Sequence, residues 1–148
     1  MKIDELISPD NASVGLRAPD KASVIQELAA QAAAKLKMSA GEIAQELLRR
    51  EELGSTGIGN GIALPHARLA KLDKPFGIAA RLKKPIEFDA VDGKPVDLVV
   101  LVLMPDDAQA DQLNALACVA RVLREKERLE RLRQANDAAE FHRELVRQ

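Results

Sequence analysis

A glycine-rich run directly precedes one of the two histidines of the chain. Four of the eight glycines, Gly54, Gly57, Gly59 and Gly61, lie shortly before His66. Glycine can adopt positive φ and lets main-chain N–H groups approach an anion closely. A neutral imidazole, whose unperturbed pKa is about 6.5, has a free ring nitrogen that can act as a nucleophile. These residue types therefore indicate the capture of a phosphoryl group on His66.

The same run contains further donors for phosphoryl oxygens. Ser55 and Thr56 carry hydroxyl groups, although both are also common turn residues. Arg68 would share a strand face with His66 and could offset the charge of a phosphoryl group. A histidine beside a proline is often a hydrogen-bonded structural residue, so the residue types alone leave a structural role for His66 open.

The neighbouring elements are expected to hold His66 at the end of a strand. Residues 62–64 predict a short apolar strand, and Pro65 fixes φ and ends its pairing. On the other side, Ser39 and Glu42 have the spacing of a helix capping box. This helix is expected to end near residue 53 with Gly54 as its cap, so that the glycine-rich run directly follows the end of the helix.

The remaining chain predicts an α/β fold. Residues 98–104 form an unbroken apolar run rich in β-branched residues, which is typical of a central strand covered on both faces. Further strands are expected near residues 14–16 and 76–82, the latter with a bent continuation. Helices are predicted around residue 6 and over residues 24–36, and a further helix is expected to follow the possible cap Asp106-Asp107. Residues 125–133 are predicted to form a short, largely solvated helix, and a last helix is expected after Asp137.

Length and composition exclude several classes of protein. The chain has 148 residues and a net charge of −1, without Trp or Tyr and with only three Phe, so we expect one domain and no nucleic-acid binding. The single cysteine, Cys118, is predicted to be a core residue, and the second histidine, His142, a surface residue. No metal is expected. The N-terminus lacks a signal peptide and no apolar run could span a bilayer, so a cytoplasmic location without membrane insertion is expected.

The run from Gly54 to His66 closely resembles the active-site signature of the fructose/mannitol-type enzyme IIA domains of the phosphotransferase system, and in particular their nitrogen-regulatory IIA branch. Residues 85–98 resemble the next block of this family, and the similarity extends from about Leu6 to the C-terminal helix. The resemblance implies a mixed five-stranded sheet flanked by helices on both faces, in one domain over residues 1–148.

The resemblance also implies a role for His66. In this family the matching histidine accepts a phosphoryl group from a phosphohistidine of a small HPr-like (NPr-type) carrier, on Nε2, while a backbone carbonyl holds Nδ1. The protein would then be a phosphoryl-transfer component rather than a free-standing turnover enzyme, and it would need no cofactor. The groups expected to stabilise the phosphoryl oxygens are Arg68, Ser55, Thr56, Gly57, Gly59, Gly61 and Gln112.

Gln112 marks a departure from the family pattern. The family often has a second histidine at this position, at the start of the helix after the long strand. A glutamine amide can donate to a phosphoryl oxygen, but it cannot exchange protons. We therefore predict phosphorylation on a single histidine, with Gln112 either as a donor or as an ordinary helix-surface residue.

The sequence leaves three functions open. The favoured one is a nitrogen-related phosphocarrier whose phosphorylation state selects its partners, which in the family include potassium transport regulators and sensor kinases. The second is the IIA subunit of a fructose or mannitol uptake system, which passes the phosphoryl group to a IIB cysteine. The third is an interaction module that has lost the chemistry, for which Gln112 argues mildly.

Overall fold

The computed structural model describes residues 1–106 and 109–148, and the side chains of these residues except 109–113. A mixed sheet separates two groups of helices in this part of the chain. The elements, in chain order, are α1 (Ile3–Leu6), a 3₁₀ turn (Pro9–Asn11), β1 (Ala12–Leu16), α2 (Lys21–Leu36), α3 (Ala40–Glu52), β2 (Gly57–Gly59), β3 (Ile62–Ala63), β4 (His66–Leu69), β5 (Phe76–Ile86), β6 (Val96–Pro105), α4 (Gln109–Leu123), α5 (Lys126–Gln134) and α6 (Ala138–Val146).

The strands follow the order β1-β5-β6-β3-β2, and β4 also pairs with β6. Both β3 and β4 are parallel to β6 and keep one register, since Ile62 lies opposite Leu98 and His66 lies opposite Val102. They are thus two halves of one strand, interrupted at residues 64–65. The six segments occupy five strand positions, and the predicted mixed five-stranded sheet is confirmed in this form.

The central strand β6 buries both of its faces, as its unbroken apolar run predicted. Val99 and Leu101 pack in one core with residues of α2 and α3. Val100 and Val102 pack in a second core with residues of α1, α4, α5 and α6, and Cys118 is buried there as predicted. Burial raises the pKa of the Cys118 thiol. Helices therefore cover both faces of the sheet.

Side-chain caps begin three of the helices. Asp20, Ser39 and Asp137 each accept a hydrogen bond from the main-chain N–H three residues ahead, at 2.8, 3.2 and 2.8 Å. The predicted starts of α3 and α6 are thus confirmed. The predicted cap after β6 includes Asp107, which lies outside the described residues. No helix in residues 1–106 or 109–148 is long and apolar enough to cross a bilayer.

Two residues of the C-terminal helices are more buried than the sequence indicated. The helix α5 is largely solvated, as predicted, but its Arg128 is only 5% exposed and donates to the carbonyl oxygens of Glu144 and Leu145. Sequence pattern cannot show this, because the partners lie on another helix. His142 was expected on the surface, but it is half-buried, and its Nε2 lies 2.8 Å from the carbonyl oxygen of Ile7.

Candidate functional site

His66 begins β4 and is half-buried at the wall of a cavity of about 500 Å³. The cavity lies where the end of α3, the strand β4, the end of β6 and the helix α4 meet. Its described lining residues are Glu46, Arg49, Arg50, Leu53, His66, Ala67, Arg68, Met104, Asp106 and Leu116. A ring in this position is held by the strand and remains reachable from the cavity.

The strand interruption fixes the orientation of the ring. Pro65 has no N–H to donate, but its carbonyl accepts from Val102 N at 2.9 Å, so the strand stays in register. The Leu64 carbonyl oxygen lies 2.9 Å from Nδ1 of His66. Because a carbonyl can only accept, the proton is assigned to Nδ1, and Nε2 of the neutral ring carries the lone pair.

Arg50 is in contact with this lone pair. Its Nε donates to His66 Nε2 at 3.3 Å, and its Nη1 donates to the carbonyl of Gly54 at 3.0 Å. The charged residues 49–52 have the pattern of a solvated helix surface, so sequence reasoning missed Arg50, which is half-buried, and Glu51, which is buried. The available signal was the place of Arg50 in the last turn of the helix that leads into the glycine-rich run.

The surroundings of His66 favour its neutral form. Burial is the largest cause and lowers the pKa of the imidazole below its usual value, and the nearby Arg50 guanidinium lowers the pKa further. The Leu64 carbonyl and the Glu51 carboxylate act in the opposite direction, but the net shift is downward. At neutral pH the ring therefore presents an unprotonated Nε2 to the cavity.

Arg68 lies two residues beyond His66 on β4, on the same strand face, and lines the same cavity. Its side chain is exposed, whereas Ala67 between them is buried in the core beneath α2 and α3. Three arginines, Arg49, Arg50 and Arg68, thus line the cavity with His66, and Arg50 contacts its ring. Such an arrangement can hold an anion against a ring nitrogen.

The hydroxyls of Ser55 and Thr56 have other partners. Ser55 Oγ donates to the carbonyl of Phe88 at 2.6 Å and accepts from Gly57 N at 3.0 Å. Thr56 is only 4% exposed, and its hydroxyl and main-chain N–H both donate to the Glu51 carboxylate. Neither residue is among the described residues that line the cavity.

Three glycines of the run pack against residues 90–98 and Arg133. A Cβ on Gly57 would lie 2.8 Å from the Cβ of Ala90. Gly61 has a φ of +79°, its carbonyl accepts from Asp97 N and Leu98 N, and a Cβ there would lie 2.5 Å from Arg133 Nη2. Gly59 has a φ of +100°, and a Cβ there would lie 3.4 Å from Asp92 Oδ2. In the described structure none of these three glycines lines the cavity beside His66.

The predicted donor Gln112 has a side chain outside the described residues. Its main chain lies in α4, one turn before Leu116, which lines the cavity. The helix that carries it therefore approaches the site.

Comparison with known proteins identifies the family of this chain. Residues 5–147 match the family described as phosphoenolpyruvate-dependent sugar phosphotransferase system, EIIA 2. The chain belongs to this EIIA family. As an EIIA protein it has a phosphotransferase-system IIA role.

Relatives of this EIIA protein include nitrogen regulatory proteins. That of Bradyrhizobium diazoefficiens is 43% identical over 146 residues, which are 99% of this chain and 95% of the relative. That of Pseudomonas aeruginosa is 35% identical over 147 residues, with 99% and 96% covered. The resemblance to the nitrogen-regulatory IIA proteins is thereby confirmed.

Solved structures agree with the fold of this EIIA protein. The crystal structure of nitrogen regulatory protein IIA-Ntr from Neisseria meningitidis has a TM-score of 0.88 at 31% identity, and the match covers 97% of this chain and 98% of that one. The crystal structure of IIA mannitol from Escherichia coli has a TM-score of 0.71 at 20% identity, with 98% of both chains covered. The second match concerns the fold alone and confirms the predicted mannitol/fructose-type architecture.

Proposed function

We propose that this EIIA protein is a phosphocarrier of a nitrogen-related phosphotransferase system, and that Nε2 of His66 accepts the phosphoryl group from a phosphohistidine of an HPr-like carrier. One observation carries the proposal. Nδ1 of His66 is committed to the Leu64 carbonyl at 2.9 Å, while Nε2 faces a cavity in which Arg50 Nε lies 3.3 Å away. The ring therefore has one held nitrogen and one nucleophilic nitrogen beside a cation.

The transfer needs no cofactor. The Nε2 lone pair attacks the phosphorus, and the electron pair of the donor's N–P bond returns to the donor nitrogen. The proton stays on Nδ1, so the phosphorylated ring is cationic, and the Leu64 carbonyl oxygen stabilises its charge. Positioning and electrostatic stabilisation dominate in such a transfer because the transition state spreads charge over the phosphoryl oxygens.

Arg50 and Arg68 are the groups proposed to stabilise the phosphoryl oxygens. Both line the cavity, and Arg50 moves from the lone pair of Nε2 to the oxygens once phosphorus occupies that position. Ser55, Thr56, Gly57, Gly59 and Gly61 contribute in this proposal by holding the run in place. Their described long-range contacts include Glu51, Phe88, residues 90–98 and Arg133. The role of Gln112 as an amide donor stays a prediction.

Phosphorylation would change how the surface around the cavity binds partners. The phosphoryl group places roughly −1.5 to −2 charges in the cavity at neutral pH, and the positive charge of the ring offsets part of them. These charges would lie beside Arg49, Arg50 and Arg68 and next to Leu53, which is 83% exposed. A partner that packs on Leu53 would meet a cationic surface in one state and a neutralised surface in the other. Potassium transport regulators or sensor kinases, as expected from the resemblance, stay predictions for this partner.

A role in sugar uptake is the second candidate. The fructose-specific EIIABC component of Bacillus subtilis is 31% identical over 128 residues, which are 86% of this chain and 20% of that protein. The two candidates share the His66 chemistry and differ in the acceptor. Transfer of the label to a cysteine of a fructose- or mannitol-type IIB domain would favour the sugar role, and retention of the label would favour the regulatory role.

Mass measurement tests the site. The wild type, incubated with phosphoenolpyruvate, enzyme I and an HPr-like carrier, should gain one acid-labile phosphoryl group. His66→Ala should gain none. His142→Gln is the matched control, because it removes the other histidine and its amide can still donate to the Ile7 carbonyl; it should be phosphorylated like the wild type. Label that persists in His66→Ala would overturn the site, and an unlabelled wild type would leave an interaction module without phosphoryl chemistry.

A further inference from the structure

We propose that Glu51, anchored by Lys21, is a positioning residue that fixes the ring of His66 through the main chain of Thr56 and Leu64. This inference rests on the proposed function of His66 and deepens it, because it names groups remote from the phosphoryl group that set which ring nitrogen is the nucleophile.

Glu51 is a buried charge with several partners. Its side chain is 5% exposed, and an ionised carboxylate at this depth requires pairing and hydrogen bonds. Lys21 Nζ lies 2.7 Å from its Oε2. The same ammonium lies 5.0 Å from the centre of the Phe88 ring and 3.9 Å from Asp89 Oδ2. Lys21 therefore joins the start of α2, the end of α3 and the segment after β5 at one point.

The carboxylate of Glu51 takes both donors of Thr56. The main-chain N–H lies 3.2 Å from each carboxylate oxygen, and the hydroxyl donates to Oε1. Such charge-assisted bonds are stronger than neutral ones. Thr56, which is 4% exposed, is thereby fixed relative to α3.

Two more hydrogen bonds extend this contact to the imidazole. The Thr56 carbonyl accepts from Leu64 N at 2.9 Å, and the Leu64 carbonyl lies 2.9 Å from His66 Nδ1. Arg50, the neighbour of Glu51, holds the same segment from its other side through the Gly54 carbonyl at 3.0 Å. The last turn of α3 thus controls both nitrogens of the ring, one through Thr56 and Leu64 and the other through Arg50.

Removal of the carboxylate should have two effects on His66. The Leu64 carbonyl loses a fixed position, so the proton is no longer confined to Nδ1. The negative charge of Glu51 also raises the pKa of His66, so its loss lowers the titration midpoint of the ring. The other charged groups around the ring keep their identities in such a variant; in the described structure they are Glu46, Arg49 and Arg50 of α3, Arg68 of β4 and Asp106 after β6.

Nitrogen-15 NMR of the unphosphorylated protein tests the inference directly. The wild type should show His66 as the Nδ1–H tautomer at neutral pH. Glu51→Gln, which keeps the shape and removes the charge, should show a mixture of tautomers and a lower titration midpoint. Its rate of phosphoryl acceptance should fall by roughly tenfold, because a misplacement of about 1 Å can cost up to about 10²-fold.

Glu144→Gln is the matched control. Glu144 is also a largely buried carboxylate, 13% exposed, and accepts from Arg131 Nε at 2.8 Å. It lies on α6 and is not among the described residues that line the cavity. This variant should lower stability and leave the ring signals of His66 unchanged, which separates positioning from general loosening of the fold.

Thr56 variants decide the question if Glu51→Gln fails to fold. Thr56→Val removes the hydroxyl that meets Glu51 and should shift the tautomer balance, whereas Thr56→Ser restores the hydroxyl and should restore the wild-type ring signals. Unchanged tautomer and midpoint in Glu51→Gln, or in Thr56→Val where the former is unfolded, would overturn the inference even in a protein that is phosphorylated on His66. A wild type that accepts no phosphoryl group would instead overturn the proposed function, and a tautomer shift in the variants would still support the positioning role.

Discussion

At the residue scale, the two nitrogens of His66 have different environments. Nδ1 faces a carbonyl and Nε2 faces a guanidinium, at 2.9 and 3.3 Å. The sequence could predict His66, because a histidine after a glycine-rich run and a proline carries both the chemistry and the family signature. It could not predict the contact with Arg50, because the two side chains meet only when the end of α3 packs beside β4.

Replacement of Arg50 should affect both chemistry and titration. Arg50→Ala is expected to lower the rate of phosphoryl acceptance by about 10²-fold, the size of effect that loss of one preorganised donor produces. It should also raise the pKa of His66, because the guanidinium disfavours a protonated ring. Rapid-quench kinetics measures the rate of phosphoryl acceptance, and NMR titration measures the pKa of His66. Arg143→Ala, an exposed arginine on α6, is the control, and an equal loss of rate in both variants would contradict a specific role for Arg50.

The lowered pKa of His66 predicts the pH dependence of the protein. Phosphoryl acceptance should persist as pH falls below about 6.5, the usual imidazole pKa, and decline only when the buried ring is protonated. The unfolded chain takes up this proton at a higher pH than the folded chain, so His66 should lower the free energy of unfolding as pH falls through that interval. Comparison of wild type and His66→Gln across pH measures this contribution, and acceptance that declines above pH 6.5 would contradict the account.

At the element scale, local patterns predicted the elements but not the partners of the glycine-rich run. The apolar run of β6 and the cap at Ser39 are local signals, and both predictions were confirmed. The run itself was expected to place amides around the phosphoryl group. Many of its described contacts are instead with residues 88–98, more than 30 positions away in sequence. Single-sequence patterns contain no information on such pairings.

Two glycine substitutions should therefore have opposite effects. Gly57→Ala places a methyl group 2.8 and 2.9 Å from Ala90 Cβ and Cα, so the free energy of unfolding should fall by about 1–3 kcal/mol. Gly41→Ala in α3 meets only Ser39 Oγ at 3.7 Å and should raise it by up to about 1 kcal/mol, because alanine favours the helix. Urea unfolding measures both values. Equal stability of the two variants would show that close packing against Ala90 is not why residue 57 is glycine.

At the scale of the whole molecule, the site lies at the junction of the two cores. Ala67 of β4 packs beneath α2 and α3, whereas Leu64 packs in the core on the other face. His66 lies between these two residues in sequence, so a chemical change on its ring occurs next to both cores. The molecule has a net charge of −1, and a phosphoryl group of roughly −2 charges on a ring that keeps its Nδ1 proton brings the net charge to about −2. A carrier of this design can signal its state through electrostatics at one surface.

The most direct measurement is nitrogen-15 and phosphorus-31 NMR of the protein after loading through an HPr-like carrier. The structure predicts a single phosphoryl group bonded to Nε2 of His66, with Nδ1 still protonated and hydrogen-bonded to the Leu64 carbonyl. A phosphoryl group on Nδ1 of His66, on His142 or on neither histidine would contradict the account.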